Sequence, residues 1–288
     1  MRAALNRRLR NLADVTIHKP AAIVRKRQWQ RLSGRGQDFE LVHSQETYLV
    51  STRDQAVSRR LYETGQFDFD KFGIAMALLG RTRVGRLVDV GANIGTISIP
   101  ALRRGLAERA TAIEPDPLNF WLLEVNVTLN HIHNRIECLQ AACTSIGTGD
   151  ILLERSPTNY GDHRITLKDS TRSSHSGSVR VPSVRLDDVV SHLSDGDLVW
   201  MDVQGYEIEV LKGSPTVLES GAALVTELWP FGLQEQGSLD EVAETLGSFK
   251  CFYDLSERQP SQRPIHEVLS LIERLGVDGA WTDILCVH

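Results

Sequence analysis

An apolar run closing on an acid, a turn of small residues and a helix-like pattern succeed one another in "RLVDVGANIGTISIPAL", Arg86 to Leu102. Gly91 and Gly95 let that turn approach a ligand closely, because glycine reaches backbone conformations that other residues avoid. Asn93 between them carries a short polar side chain that tolerates a sharp turn. Read from Gly91 the spacing is G-A-N-I-G, not G-x-G-x-x-G, which argues against a pyrophosphate cradle. Glu114 closes the next apolar run, "TAIE", 25 residues after Asp89. A carboxylate there can accept hydrogen bonds from both hydroxyls of an adenosine ribose and would repel a 2′-phosphate. Asp89 alone could be structural and Glu114 alone a helix-start acid. Combined with the glycine turn, they point to an adenosine site.

Such a site needs strands that end together. "RLVDV", "RATAIE" and "IECLQAA" read as strands, "TISIPALRRG" and "PLNFWLLEVNVTLNHI" as the intervening helices, with Asp116 a helix cap ahead of Pro117. "DLVWMDV" and "AALVTEL" are further buried strands around "YEIEVLKGSPTVLES", and "FKCFYDL", a helix near Pro264 to Leu275 and "WTDILCV" complete the chain. Alternating strands and helices predict an α/β sheet covered on both faces. "DILLE" and "HRITL" suggest a hairpin or an excursion over the site, and the Ser-rich "DSTRSSHSGS" a loop. Ahead of the sheet, "DFELVH" and "TYLV" read as short strands. Asp54 is placed to cap a helix through "QAVSRRLYE", and a second helix runs from Asp70 to Leu79.

The 288 residues carry a net charge of -5, and 41% are apolar, enough for one substantial core and a small N-terminal element. The longest apolar run, Ile74 to Leu79, is far short of a membrane span, and no apolar segment follows the basic N-terminus as in a secretory signal. Four scattered cysteines suggest neither a zinc site nor a disulfide scaffold, which favours a cytoplasmic, reducing setting. The first 36 residues hold ten Lys or Arg and one acid. Such an arm could touch an anionic surface or a protein partner, or simply be a solvated extension. The acidic main body and an aromatic content of 6% argue against a nucleic-acid groove.

Three blocks carry a family likeness: "VDVGANIGTISI", "AIEPDPLNFWLLEVNVTLN", and "RLDDVV" followed by "LVWMDVQGYEIEVLKG". On them the chain, from about Asp38 through Leu228, resembles the FkbM family of S-adenosylmethionine-dependent methyltransferases. The resemblance implies a Rossmann-like, seven-stranded class I methyltransferase sheet, with its last strand antiparallel and helices on both faces. It divides the chain into a basic extension (1–37), an N-terminal cap or substrate lid (38–80) and a catalytic domain (81–288). It places Asp89, Gly91, Asn93 and Gly95 near the methionine part of the cofactor, Glu114 on the ribose, and Ala141 and Ala142 beside the adenine. Family members often carry D-x-E-G where this chain has "DVQG". Gln204 replaces the acid there and cannot act as a base.

Methyl transfer is an in-line displacement, so the protein must align an acceptor and exclude water. A hydroxyl acceptor also benefits from a base. Asp202, at the end of "LVWMD", is the leading candidate, with capping of the next helix its structural alternative. Glu227, ending "ALVTE", could join it around a substrate or a divalent ion. Two acids without a third ligand do not make a metal site, and no metal is predicted. His163, with Asn159 and Arg164 in "TNYGDHRI", is expected near the acceptor, His163 as a catalytic candidate, and His175 and His192 have weaker claims. "YETGQFD" could roof the pocket through Glu63 and Phe67, and Gln204 could hydrogen-bond the substrate. No N/D-P-P-Y pattern of exocyclic-amine methyltransferases is present. The reading is O-methylation of a small polar metabolite, sugar or glycan. N-methylation of an amine or amide, and non-catalytic binding of an adenosyl cofactor or an anionic surface, are the alternatives.

Overall fold

The computed structural model describes residues 19–34, 38–166 and 177–288. The first eighteen residues of the basic extension and most of the Ser-rich loop, including His175, lie outside the described residues. The described residues open with a helix, Lys19–Ser33, then pair β1 (Phe39–His43) with β2 (Thr47–Ser51) antiparallel, and add helices Val57–Thr64 and Phe69–Leu78. Asp54 fixes the first turn of the Val57–Thr64 helix, its carboxylate accepting from the amides of Ala56 and Ser58 at 3.0 and 2.7 Å. Trp29 ties the N-terminal helix down: its ring is fully buried and its Nε1 donates to Gln55 Oε1 at 3.1 Å.

The central sheet begins with β3 (Val84–Val90), β4 (Ala107–Ile113) and β5 (Ile136–Leu139). The intervening helices are Ser98–Arg103 and Pro117–Leu129. Asp116 caps the longer one, accepting from the amides of Leu118 and Asn119 ahead of a proline already fixed in helical φ. A side sheet follows, made of β6 (Ala142–Cys143), β7 (Asp150–Glu154), β8 (Arg164–Ile165) and β9 (Ser178–Val184). Here "DILLE" and "HRITL" pair antiparallel, as the hairpin reading expected. The main sheet resumes with β10 (Leu198–Met201), β11 (Ala223–Leu228), β12 (Cys251–Asp254), β13 (Arg263–Pro264) and β14 (Thr282–Val287).

Its order is β13-β12-β14-β11-β10-β3-β4-β5, with β14 antiparallel to both neighbours. Seven strands make the expected sheet, and the two-residue β13 adds an eighth at the edge. The interior strands are apolar without alternation, because both faces are covered. Every residue of β10 and β11 is buried. Successive side chains enter opposite layers: Leu87 packs with Phe72, Leu122 and Trp200, whereas Val88 packs with Val199, Leu224 and Ile284.

Register matters most for function. Val90 is level with Ile113 and Met201, and Met201 with Thr226. The next residue of each strand or following turn is therefore Gly91, Glu114, Asp202 and Glu227, side by side at the carboxyl edge of the sheet. Antiparallel β14 brings Asp283 level with Glu227. In open α/β sheets this edge is where ligands bind.

The β1–β2 hairpin is fastened to the sheet layer by two asparagines of the Pro117–Leu129 helix and its end. Asn126 accepts from Leu49 N at 2.6 Å and donates to the carbonyls of Leu49 and Ile94 at 3.3 and 3.0 Å. Asn130 does the same for Thr47, at 3.1 and 2.7 Å. Asn126 is fully buried, so its loss strands backbone groups that cannot reach water. Asn126→Ala is expected to destabilise the chain by about 2–4 kcal/mol in denaturant unfolding, whereas Thr128→Ala on the exposed face of the same helix should change it by less than about 1 kcal/mol.

Candidate active site

A cavity of about 370 Å³ lies over the carboxyl edge, within the size range of small-molecule sites. One wall is the turn after β3. Gly91 has φ +85°, and a Cβ there would stand 1.9 Å from the carbonyl oxygen of Asp202. Asp202 N in turn donates to Val90 O at 3.0 Å. The β3 and β10 turns thus touch backbone to backbone, and only glycine permits it. Gly95 is absent from the cavity lining. It supports the turn from beneath, where a Cβ would meet Ile99 and Leu123. The helix itself starts at Ser98, not at Gly95.

Asp89 Oδ2 takes the amide and hydroxyl of Ser98, which fastens that helix to the strand end. Burial raises its carboxyl to about 6. Glu114 accepts from Asn93 N at 2.8 Å through one oxygen and from Asp116 N at 2.9 Å through the other. Each oxygen keeps a second lone pair, so the carboxylate is oriented and can still accept from a ligand. Burial is the largest influence on it and pushes it to about 8. Ala141 and Ala142 line the same end, beyond β5. Together these groups fit an adenosyl ligand: a carboxylate aimed by two amides, small side chains beside it and a turn open to close approach.

The loop between β7 and β8 forms the opposite wall. The carbonyl of Tyr160 receives Asn93 Nδ2 at 3.1 Å and Asn119 Nδ2 at 2.8 Å, and the amide of Tyr160 donates to Asp54 Oδ1 at 3.2 Å. The loop is thereby bonded to the β3 turn, to the long helix and to the N-terminal segment at one residue. Asn159, His163 and Arg164 follow from it into the cavity lining. His163 Nδ1 accepts from Ser156 N at 3.0 Å, so the neutral ring carries its proton on Nε2, 3.9 Å from Asp116 Oδ2. Burial lowers its pKa, Asp116 opposing. In this arrangement His163 offers an N–H and no basic nitrogen.

On the floor, Gln204 Nε2 donates to Asp202 Oδ1 at 2.6 Å and lies 3.5 Å from Glu227 Oε2. Gln204 holds φ +56°, the left-handed region that a non-glycine residue occupies with strain. Glu207, from the helix Glu207–Lys212, turns back beneath this loop and accepts the amides of Val203 and Gly205 at 3.1 and 3.2 Å. Oxygens of Asp202, Glu207 and Glu227 lie within 4.8 Å of one another. Burial first, then Asp283, raises Asp202 to about 7, with Gln204 pulling the other way. Glu227 is raised well above its usual range by burial and then by Asp202. Asp283 is held by Lys71, which also reaches Asp68 at 3.3 Å.

The structure therefore gathers most of the residues singled out from sequence, including Phe67, Gln204 and Glu227, around one cavity. Glu63 is not among the lining residues and pairs with Arg59 at 2.8 Å. It lies near the far end of the Val57–Thr64 helix from the pocket roof, which Ala56, Val57 and Phe67 supply. His192 is exposed. Sequence reading missed Asn119, Tyr160, Glu207, Trp229 and Asp283. "ELWP" directly after Glu227 was a usable signal for Trp229, but Asp283 needed the register of an antiparallel strand. The four cysteines are free, and among the described residues no helix is long and apolar enough to cross a membrane.

A sheet of this order with an antiparallel final strand, and a glycine turn and a buried acid at its carboxyl edge, defines the Rossmann-like class I methyltransferases. Residues 89–258 match the Methyltransferase FkbM domain, and the chain belongs to that family of methyltransferases. The match starts later and ends later than the sequence likeness proposed. Over 205 residues the chain is 29% identical to "Methyltransferase sdnD" of Sordaria araneosa, covering 61% of this chain and 78% of that protein. Over 145 residues it is 30% identical to "Hexuronic acid methyltransferase AglP" of Haloferax volcanii, covering 49% of this chain and 55% of the relative. Among solved structures, the methyltransferase FkbM of Methylobacillus flagellatus aligns with a TM-score of 0.43 at 16% identity, over 95% of this chain and 60% of that one.

The raised carboxyls have a thermodynamic consequence. Between the unfolded value of a glutamic acid and the higher folded value of Glu227, the folded chain holds more protons than the unfolded one, so stability falls as pH rises. Glu227→Gln removes that loss. Its thermal midpoint relative to the wild type should climb from pH 5 to pH 8. A difference that stays flat or declines over that range would show that Glu227 is ionised in the folded chain.

Proposed function

We propose that this chain transfers a methyl group from S-adenosylmethionine to a hydroxyl oxygen of a sugar, glycan or other small polar metabolite. The observation that carries the reading is the single cavity in which the aimed Glu114 and the Gly91 turn face Asp202 and the β7–β8 loop. Glu114 takes the ribose hydroxyls, Ala141 and Ala142 flank the adenine, and Asp89, Gly91, Asn93 and Gly95 shape the methionine end. The cofactor supplies an electrophilic methyl on a sulfonium. Asp202 accepts the acceptor hydroxyl's proton as the oxygen attacks. Gln204 orients Asp202, while Glu227, Asn159 and Arg164 position the acceptor, with His163 as a hydrogen-bond donor rather than a base. Residues 38–80 act as the cap that keeps water out. The AglP name supports a sugar acceptor. No divalent ion is invoked in this reading, since Gln204 presents an N–H between Asp202 and Glu227.

Calorimetric titration with S-adenosylhomocysteine should give saturable binding near one per chain. Glu114→Ala should weaken it by about tenfold, the scale of one or two lost hydrogen bonds. No binding by folded protein would sink the cofactor assignment. With an acceptor in hand, transfer of a labelled methyl and NMR of the product locate the new bond, and a methyl on nitrogen would overturn the O-methylation reading.

Asp202→Asn should lower kcat by about 10²–10⁴-fold, the usual contribution of a positioned base. Asp202 must be ionised to act, so kcat/KM should rise with pH through about 7. The groups facing it are Gln204, Glu207, Glu227, Asp283 and Asp68. Asp283→Asn, which removes the acid that raises Asp202 most after burial, should move that rise to lower pH.

A further inference from the structure

Within the cavity read above as the methyl-acceptor site, one side chain has hydrogen-bond donors that no other described residue takes up. Arg164 Nε is committed to Asp162 Oδ1 at 2.6 Å, and its guanidinium carbon lies 4.5 Å over the ring of Trp229. Among the described residues, nothing bonds its two terminal nitrogens. Stacking on one face and a bond at Nε fix the plane and direction of the fork, and its two-donor end remains unused. Trp229 adds a second donor. It lines the same cavity and is 8% exposed, and its Nε1–H is buried with no acceptor. Buried donors are nearly always satisfied, so an orphan in a cavity wall marks a place for a ligand oxygen.

The two donors belong to one braced unit. The Trp229 ring lies against the start of the helix Pro230–Glu235, where a Cβ on Gly232 would stand 2.2 Å from ring atom Cε3. Just beyond that helix, Gln236 Nε2 donates to Ile165 O at 2.8 Å, in the strand that carries Arg164. Neither donor depends on a loop closing.

We infer that Arg164 and Trp229 form an oxyanion subsite for a carboxylate carried by the acceptor, which makes the acceptor an acidic sugar of the hexuronate type rather than a neutral one. Charge counting separates a carboxylate from a phosphate. A planar guanidinium fork matches one carboxylate in geometry and charge. A phosphate dianion would call for a second free cation; among the described residues Arg164 is the Lys or Arg that lines the cavity, and Lys71, behind the lining acids, is already held by Asp283 and Asp68. The inference rests on the acceptor reading of the cavity and adds the acceptor's own charge to it.

The test is titration of the full chain, with and without S-adenosylhomocysteine, against methyl β-D-glucuronide, methyl β-D-glucoside and D-glucose 6-phosphate. Calorimetry and tryptophan fluorescence give the readouts. The glucuronide should bind at least tenfold more tightly than the other two. Arg164→Gln should abolish that preference, and Trp229→Phe, which keeps the ring beneath the guanidinium but loses the N–H, should reduce it about threefold or more. Both variants should hold S-adenosylhomocysteine within about twofold of the wild type. Equal binding of glucuronide and glucoside, or no glucuronide binding at all, overturns the inference. So does a preference for the phosphate. Loss of S-adenosylhomocysteine affinity in Arg164→Gln, down to that of methylthioadenosine, also overturns it, because the subsite would then serve the carboxylate of the cofactor. Glucuronide selectivity that persists while S-adenosylhomocysteine fails to bind supports the subsite and removes only the cofactor reading.

Discussion

The contact between the Gly91 turn and the carbonyl of Asp202 governs how the rest of the site is assembled. Two strand ends meet there with no side chain between them, and the hydrogen bond from Asp202 N to Val90 O locks the approach. Adjacent parallel strands stand about 4.8 Å apart, so the turns that leave them are close by construction. A methyl group at position 91 would force them apart. The other acids of the cavity are measured from this junction: Glu114 one strand to one side, and Glu227 one strand to the other.

The acids gathered on the far side have a different logic. Asp202, Glu207, Glu227 and Asp283 come from four separate segments, and burial raises all four. A well-packed apolar floor would be more stable. What the arrangement provides is a carboxyl that titrates near neutrality next to one held more firmly protonated, the division between base and acid that enzymes obtain from unlike surroundings. Gln204 decides which is which, since its amide favours charge on Asp202 at 2.6 Å and reaches Glu227 only at 3.5 Å.

Much of this was legible in the sequence wherever a residue's role is local. Asp116 ahead of Pro117 announced a capped helix, the G-A-N-I-G turn announced close approach, and the apolar run "TAIE" announced an acid at a strand end. The strand ends Asp202 and Glu227 followed from apolar runs alone. What stayed hidden depended on register or on backbone atoms. Asp283 reaches the site only because β14 runs antiparallel beside β11. Glu207 does so because its side chain folds back under a strained turn. The carbonyl of Tyr160 has no letter in a sequence. Glu63 failed for a related reason, since the direction of a helix side chain depends on the packing of that helix, and here Glu63 pairs with Arg59 outside the cavity.

That Tyr160 carbonyl shapes how the acceptor site can diversify. Two asparagine amides from different elements hold it, and the neighbouring amide is pinned to Asp54. A loop anchored at its middle cannot slide to suit a new molecule without releasing the Gly91 turn and the N-terminal segment with it. New acceptor preferences must therefore arise by exchanging side chains at positions such as 159, 163 and 164 on a fixed backbone. Insertions are tolerable only on the strand side of the anchor. For engineering, this makes the wall a rigid panel with interchangeable fittings, and libraries confined to those few positions should keep the methyl-donor half of the site intact.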